Sequence, residues 1–197
     1  MRKIEKRSIF CLILAALLGL GLAFFCFQFV MDGGDWASYP YNRHLYNNAG
    51  QLKGGTILDR DGDMLSTLDE DGNRIYNDDA TVRRATLHAV GDKNGNIGAG
   101  ALTSFADKLS GYNLLTGVYS PLGTGNSLYL TIDAYLNNVA YQALNGMNGT
   151  VGVYNYKTGE ILCMVSTPTF DPANPPDIAA DDPAWDGVYV NRLLSAN

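Results

Sequence analysis

"GTVGVYNYKTGEILCMVSTPTFDP", residues 149–172, reads as two strands joined by a tight turn. Thr150 to Asn155 and Glu160 to Ser166 flank the tip Tyr156-Lys157-Thr158-Gly159, where Lys and Thr are soluble and Gly159 supplies the positive φ that a tight or bulged turn needs. The run Ile161-Leu162-Cys163-Met164-Val165 is apolar at every position, which is the pattern of a strand covered on both faces. Immediately upstream, "SLYLTIDAYLNNVAYQALNG" alternates through Leu128, Leu130 and Ile132, then offers Asp133 as an N-cap. The helix that follows carries Leu136, Val139, Ala140, Ala143 and Leu144 on one face and is closed by Gly146. A helix followed by paired strands predicts an α+β layer.

Further upstream, "GGTILDRDGDMLSTLDEDGNRIYN" (54–77) has short apolar runs, Ile57-Leu58, Met64-Leu65 and Ile75-Tyr76, separated by Asp-Gly turns. This predicts a small β-rich module of hairpins. Asp59, Asp61, Asp63 and Glu70 fall at positions 1, 3, 5 and 12 of a calcium loop, but Met64 stands where such a loop needs Gly. The same spelling recurs at Asp69 to Asn73 and Asp92 to Asn96, so two readings stand: ordinary Asx-rich turns or a calcium loop. Residues 97–123 are Gly-rich, with one helical piece at Leu102, Phe105, Ala106 and Leu109 that stops at Gly111. After Ser166 the chain has five prolines between Pro168 and Pro183. That composition predicts an irregular surface excursion, whose acids and Trp185 are either solvated or a binding feature.

The N-terminus has a different chemistry. Ile9 to Val30 carries no charge, and as a helix it spans about 33 Å at ~1.5 Å per residue, enough to cross a bilayer. Arg2, Lys3, Lys6 and Arg7 precede it and Asp32 and Asp35 follow, so the positive-inside rule places residues 1–8 in the cytoplasm and the remainder outside. A cleaved signal peptide is the alternative, although Phe24-Phe25-Cys26-Phe27 occupies the place of a small-residue cleavage site. Ala15, Gly19 and Ala23 form a small-residue stripe that either packs on another helix or is simply part of an anchor. Leaving out Arg2, Lys3, Lys6, Arg7 and Glu5 from a net charge of -6 leaves -9 on the exported part. An acidic domain of this kind argues against a nucleic-acid partner. Of three cysteines only Cys163 lies outside the anchor, and His44 and His88 are isolated. This pattern provides no intrachain disulfide, no cysteine cluster and no zinc ligand set.

Lys157-Thr158-Gly159 also spells K-T-G, a motif of serine acyl-transfer sites. Its surroundings carry a wider resemblance. A basic tail and anchor, "GTILDRDGDMLS", "LHAVG", "LSGYN", "LYLTIDAYLNNVAYQAL", "GTVGVYNYKTGEILCMVSTPTFDPANPP" and "NRLL" together resemble class B penicillin-binding proteins, the membrane-anchored D,D-transpeptidases of the bacterial cell wall. The resemblance runs from about Gly54 to Leu194. It implies an α+β chain of five parts: a cytoplasmic tail (1–8), a transmembrane anchor (9–30), a linker or stalk (31–53), a β-rich pedestal module of dimerisation type (54–125) and the incomplete start of a transpeptidase domain (126–197).

Two departures qualify the resemblance. Gly54-Gly55 stands where the family has Arg-Gly, so no salt bridge is carried over to that position. No serine has Lys three residues on; Ser104 comes nearest, with Lys108 four away. No S-x-N follows an S-x-x-K, there is no second K-T-G, and the K-T-G present precedes the point, after Asn191-Arg192, where the family's S-x-x-K belongs. A covalent mechanism needs nucleophile and base within hydrogen-bond reach. Lys157 is therefore expected to be a hairpin tip, and no catalytic, cofactor-binding or metal-binding residue is assigned. The resemblance implies that a longer protein acylates a serine with stem peptide and is trapped by β-lactams, in a cell-membrane wall-synthesis complex that includes a glycosyltransferase. The 197 residues themselves are expected to be inactive. The competing reading is a non-catalytic, membrane-anchored envelope scaffold or sensor.

Overall fold

The computed structural model describes residues 2–37, 50, 54–111, 125–179 and 182–195. Helix α1, Arg2–Ala37, absorbs the predicted tail and anchor and continues past Val30 into the segment read as a stalk. The rest of that stalk, with His44, lies outside the described residues apart from Gly50. From Ile4 to Gly33 the helix is long and apolar enough to cross a membrane, the one such helix among the described residues. Its large apolar side chains are exposed to solvent, as expected of a helix whose partner is lipid.

The β-rich region forms as its turns predict: β1 (Ile57–Leu58), β2 (Met64–Leu68) and β3 (Arg74–Tyr76) are antiparallel neighbours. Asp59 Oδ1 accepts the backbone N–H groups of Asp61 and Asp63, and Asp69 Oδ1 those of Asp71 and Asn73. Asp92 does the same for Asn94 and Ile97. These carboxylates close Asx turns, which is the turn reading of the repeated spelling. Strand β4 (Leu128–Tyr129) adds to the sheet in parallel with β1, giving the order β3-β2-β1-β4. It is shorter than the alternation to Ile132 predicts. Gly55 is where the segment entering β1 meets the segment entering β4: a Cβ there would stand 1.6 Å from the Asn126 carbonyl oxygen, so only glycine fits.

Helix α2 (Ala80–Val90) has no counterpart in the hydropathy reading. Its start is signalled by Asn77-Asp78-Asp79, with Asp79 capping the Thr81 N–H at 2.7 Å. Its last six residues, Ala85 to Val90, are all buried, because α2 packs against β2, α5 and β6 at once. The helix expected at 102–109 is two short ones, α3 (Ala101–Ser104) and α4 (Ala106–Ser110), broken at Phe105. Leu102, Ala106 and Leu109 are buried, whereas Phe105 is exposed. Gly111 ends α4 in the left-handed conformation, as its position predicts.

Helix α5 (Ala134–Leu144) begins at Asp133, which caps the Leu136 N–H. Its buried line is Ala134, Asn137 and Ala140, with Leu136, Tyr141 and Leu144 partly buried; Val139 and Ala143, expected inside, face solvent. Asn137 causes the shift. Its amide accepts from Met164 N–H at 3.0 Å and donates to the Leu162 carbonyl at 3.3 Å, standing in for a neighbouring strand. Strands β5 (Gly149–Tyr154) and β6 (Ile161–Thr167) form the predicted hairpin, with Gly149 opposite Thr167 and Gly152 opposite Met164. β6 is covered on both faces: Cys163 and Val165 meet α5, and Met164 joins the core beneath the larger sheet. That core unites Ile57, Leu65 and Leu102 with Ile132 and Met164, so packing is continuous across residues 125 and 126.

Candidate functional site

Lys157 sits at the tip of the β5–β6 hairpin with its side chain exposed. Asn155 organises the tip: its Oδ1 accepts the Lys157 N–H at 3.0 Å and its carbonyl the Gly159 N–H at 2.7 Å. Gly159 has φ +79°, the left-handed geometry its place in the turn requires. Thr158 Oγ1 bonds the Glu160 carboxylate at 3.0 Å, and Lys157 Nζ lies 5.7 Å from the Tyr156 ring centre. Each of these contacts is made within the turn itself. Among the described residues no serine, second lysine or tyrosine hydroxyl is hydrogen-bonded to Lys157, and the contacts present close a turn.

Two buried serines, Ser66 and Ser166, are committed to the backbone. Ser66 Oγ donates to the Ile75 carbonyl, and Ser166 Oγ donates to the Val190 carbonyl while accepting from Arg192 N–H. Cys163 is buried, and burial pushes its thiol above the ordinary value, which suppresses the reactive thiolate. Among the described residues no His, Cys, Asp and Glu side chains gather as metal ligands.

The connected polar chemistry lies on α2, where the sequence reading placed no helix and no candidate site residue. Arg83 and Asp171 form a two-pronged ion pair, Nε to Oδ1 at 2.7 Å and Nη2 to Oδ2 at 2.6 Å, with side chains only 13% and 10% exposed. Arg83 also donates to the Asn77 and Asp78 carbonyls. Its guanidinium holds the Asp171 carboxyl below the ordinary carboxylate value. Five residues along, His88 Nε2 meets the Val188 carbonyl at 2.7 Å, and the Asn191 amide donates to the His88 carbonyl at 3.2 Å. Burial lowers the His88 pKa, keeping the ring neutral and the Nε2–H available as donor. The Pro-rich excursion is thus docked, not wholly solvated. Phe170, Asp171 and Val188 are buried on α2, Trp185 packs half-buried beside them, and the acids at 177, 182 and 186 stay outside.

Asp59 is a second residue whose weight only the fold reveals. It is 1% exposed, and beyond its turn its Oδ2 accepts the Ala134 N–H at 3.1 Å, tying the first hairpin to the start of α5. Arg74, also buried, donates to the Gly54 and Gly55 carbonyls, so a cation serves this place from β3 even though the chain has Gly54 where an Arg is expected. The sequence signal for both was the D-R-x-G spelling and the charge inside a short apolar strand.

No family model matches the chain. Over 48 residues, 24% of the chain, it is 48% identical to the peptidoglycan D,D-transpeptidase MrdA of Acinetobacter baumannii, of which the match covers 7%. Over 51 residues it is 41% identical to the protein of the same name from Haemophilus influenzae, covering 8% of it. The D,D-transpeptidase domain of a peptidoglycan glycosyltransferase from Eggerthella lenta superposes with a TM-score of 0.50 at 28% identity, covering 71% of this chain and 32% of that one. The chain therefore spans a minor part of the length of the relatives it matches. In sequence and in fold it is similar to penicillin-binding D,D-transpeptidases.

Proposed function

We propose that the chain is the N-terminal portion of a membrane-anchored penicillin-binding protein that cross-links peptidoglycan stem peptides by serine acyl transfer. The observation that carries this reading is one continuous segment: the hairpin with its K-T-G-E turn runs through β6 into Pro168, Phe170 and Asp171, and its path is fixed on α2 by the Arg83–Asp171 pair. In this reading α1 is the anchor, with the basic end in the cytoplasm and the folded part outside. Residues 54–125 are the pedestal, and residues 126–197 open the transpeptidase domain. The nucleophile lies outside these 197 residues, so the chain alone forms no acyl-enzyme. His88, Ser166 and Asn191 hold the segment around Arg192 against β6 and α2.

Covalent labelling by a fluorescent penicillin tests the reading. Membranes carrying the product of the reading frame extended beyond Asn197 should show a denaturation-stable labelled band. If that frame stops at once, or if its product takes no label, the proposal fails and an envelope scaffold becomes the better account.

A further inference from the structure

We infer that the corner where α3 meets α4 rests on the membrane surface, with the Phe105 ring at the boundary of headgroups and acyl chains and Lys108 on a lipid phosphate. The observation behind this is where α1 touches the rest of the molecule. From Ile4 onward the described residues of α1 are exposed except Gln28, Asp32 and Gly33, and the element α1 packs beside is α4. A hydrocarbon core of about 30 Å takes ~20 residues of helix. Counted from Ile9, the outer boundary of the core therefore falls near Gln28. Gly33 stands about 7 Å further out at ~1.5 Å per residue, which is the depth of the headgroups. The anchor itself thus holds α4 at that level.

The corner carries the side chains of an interfacial site. Leu102, Ala106 and Leu109 turn into the core, whereas Phe105, at the break between the two helices, is 37% exposed. Single exposed hydrophobic residues are ordinary on a protein surface. Phe105, however, edges an apolar hollow of about 410 Å³ that it shares with Ala101, Leu128 and Tyr129. Lys108 is exposed, and its Nζ lies 5.2 Å from the Phe105 ring centre. An aromatic ring favours the boundary of the acyl chains, and a lysine beside it extends its apolar stem so that the ammonium reaches the phosphates. The outer end of α1 has matching chemistry: Phe25, Phe29 and Trp36 follow one another with ring centres 6.5 and 6.4 Å apart.

Charge restricts the contact to this corner. The exported part is strongly acidic by its sequence, and an acidic surface is repelled by anionic headgroups. A lysine at the level of the phosphates lets α4 approach where the rest of the surface does not. Because α1 already tethers α4 at the bilayer, the effective concentration is high and even a weak contact is occupied. Anchor and corner together fix the tilt of the folded part over the membrane.

The inference rests on α1 being a membrane anchor and not on acyl transfer. It is tested with the full chain carrying Trp36→Phe, Trp185→Phe and Phe105→Trp, whose one indole is at the corner. The chain is reconstituted into phosphatidylcholine vesicles brominated either near the headgroup end of the acyl chains or near their terminus. Interfacial apolar residues sit about 5–10 Å into the headgroup and acyl boundary, so shallow bromines should remove about half of the emission and deep ones much less. Adding Lys108→Glu should weaken the shallow quenching, and a chain with Trp185 as its one indole should be quenched less than the corner. Equal quenching at Trp185, no effect of Lys108→Glu, or shielding from iodide without quenching by bromine would each overturn the inference; the last means that protein, not lipid, covers Phe105. A chain that survives alkaline carbonate extraction with its corner indole unquenched loses this contact and keeps its anchor. One that is extracted loses both. Penicillin labelling of the longer product is independent of either result.

Discussion

The hairpin tip and the inner face of α2 use polar residues in opposite ways. At the tip, Lys157, Thr158 and Glu160 spell a recognisable motif, yet their contacts stay within a few residues and end in solvent. On α2, Arg83 and His88 form no catalytic spelling, yet they reach residues 88 and 100 positions away and are almost closed to water. A conspicuous spelling shows which kind of chain this is, whereas long-range burial shows which residues the fold depends on. Polar groups taken out of water must be paired, and that requirement makes the second set costly to change.

The largest predicted break is Asp171→Ala, which leaves Arg83 buried without its carboxylate. Urea unfolding of the micelle-bound chain should show a loss of about 3 kcal/mol; a change within the scatter of surface substitutions would make the two regions equivalent. Asn191→Ala should cost about 2 kcal/mol, since it strips partners from the His88 carbonyl and the Leu193 N–H.

Acid should separate the regions further. The ordinary histidine value is 6.5, and burial depresses it at His88 in the fold, so the unfolded chain binds the extra proton first. Stability should therefore be full above pH 6.5 and decline as pH falls below it. A second decline should follow below 3.8, as Asp171, depressed by Arg83, is forced to protonate. In His88→Gln the upper limb should flatten; if it persists, the limb belongs to another group.

At the tip the expected effects are smaller. Gly159→Ala forces a side chain into φ +79° and should cost about 1 kcal/mol. Lys157→Ala should stay within about 0.5 kcal/mol of the parent. A larger loss at Lys157 than at Asp171 would reverse the comparison.

What the sequence made legible follows the same division. Turns closed by Asp59, Asp69 and Gly159, the Asp133 cap and the two-faced burial of β6 are local features, and each was readable from a few adjacent residues. Helix α2 was not, because Thr81, Arg83, Arg84 and Thr86 interrupt its apolar spacing and its burial comes from three neighbours distant in sequence. The face of α5 differs for a related reason: apolar spacing takes no account of Asn137, whose amide is drawn inward to the backbone groups of Leu162 and Met164. The docking of the Pro-rich segment rests on Asp171 finding Arg83, which no local pattern announces.

The central claim, that Lys157-Thr158-Gly159 is a turn and not an acyl-transfer site, is tested most directly by incubating this chain in its membrane with fluorescent penicillin and resolving it under denaturing conditions. The account predicts no covalent label on the chain. A labelled band that disappears in Lys157→Ala would contradict it.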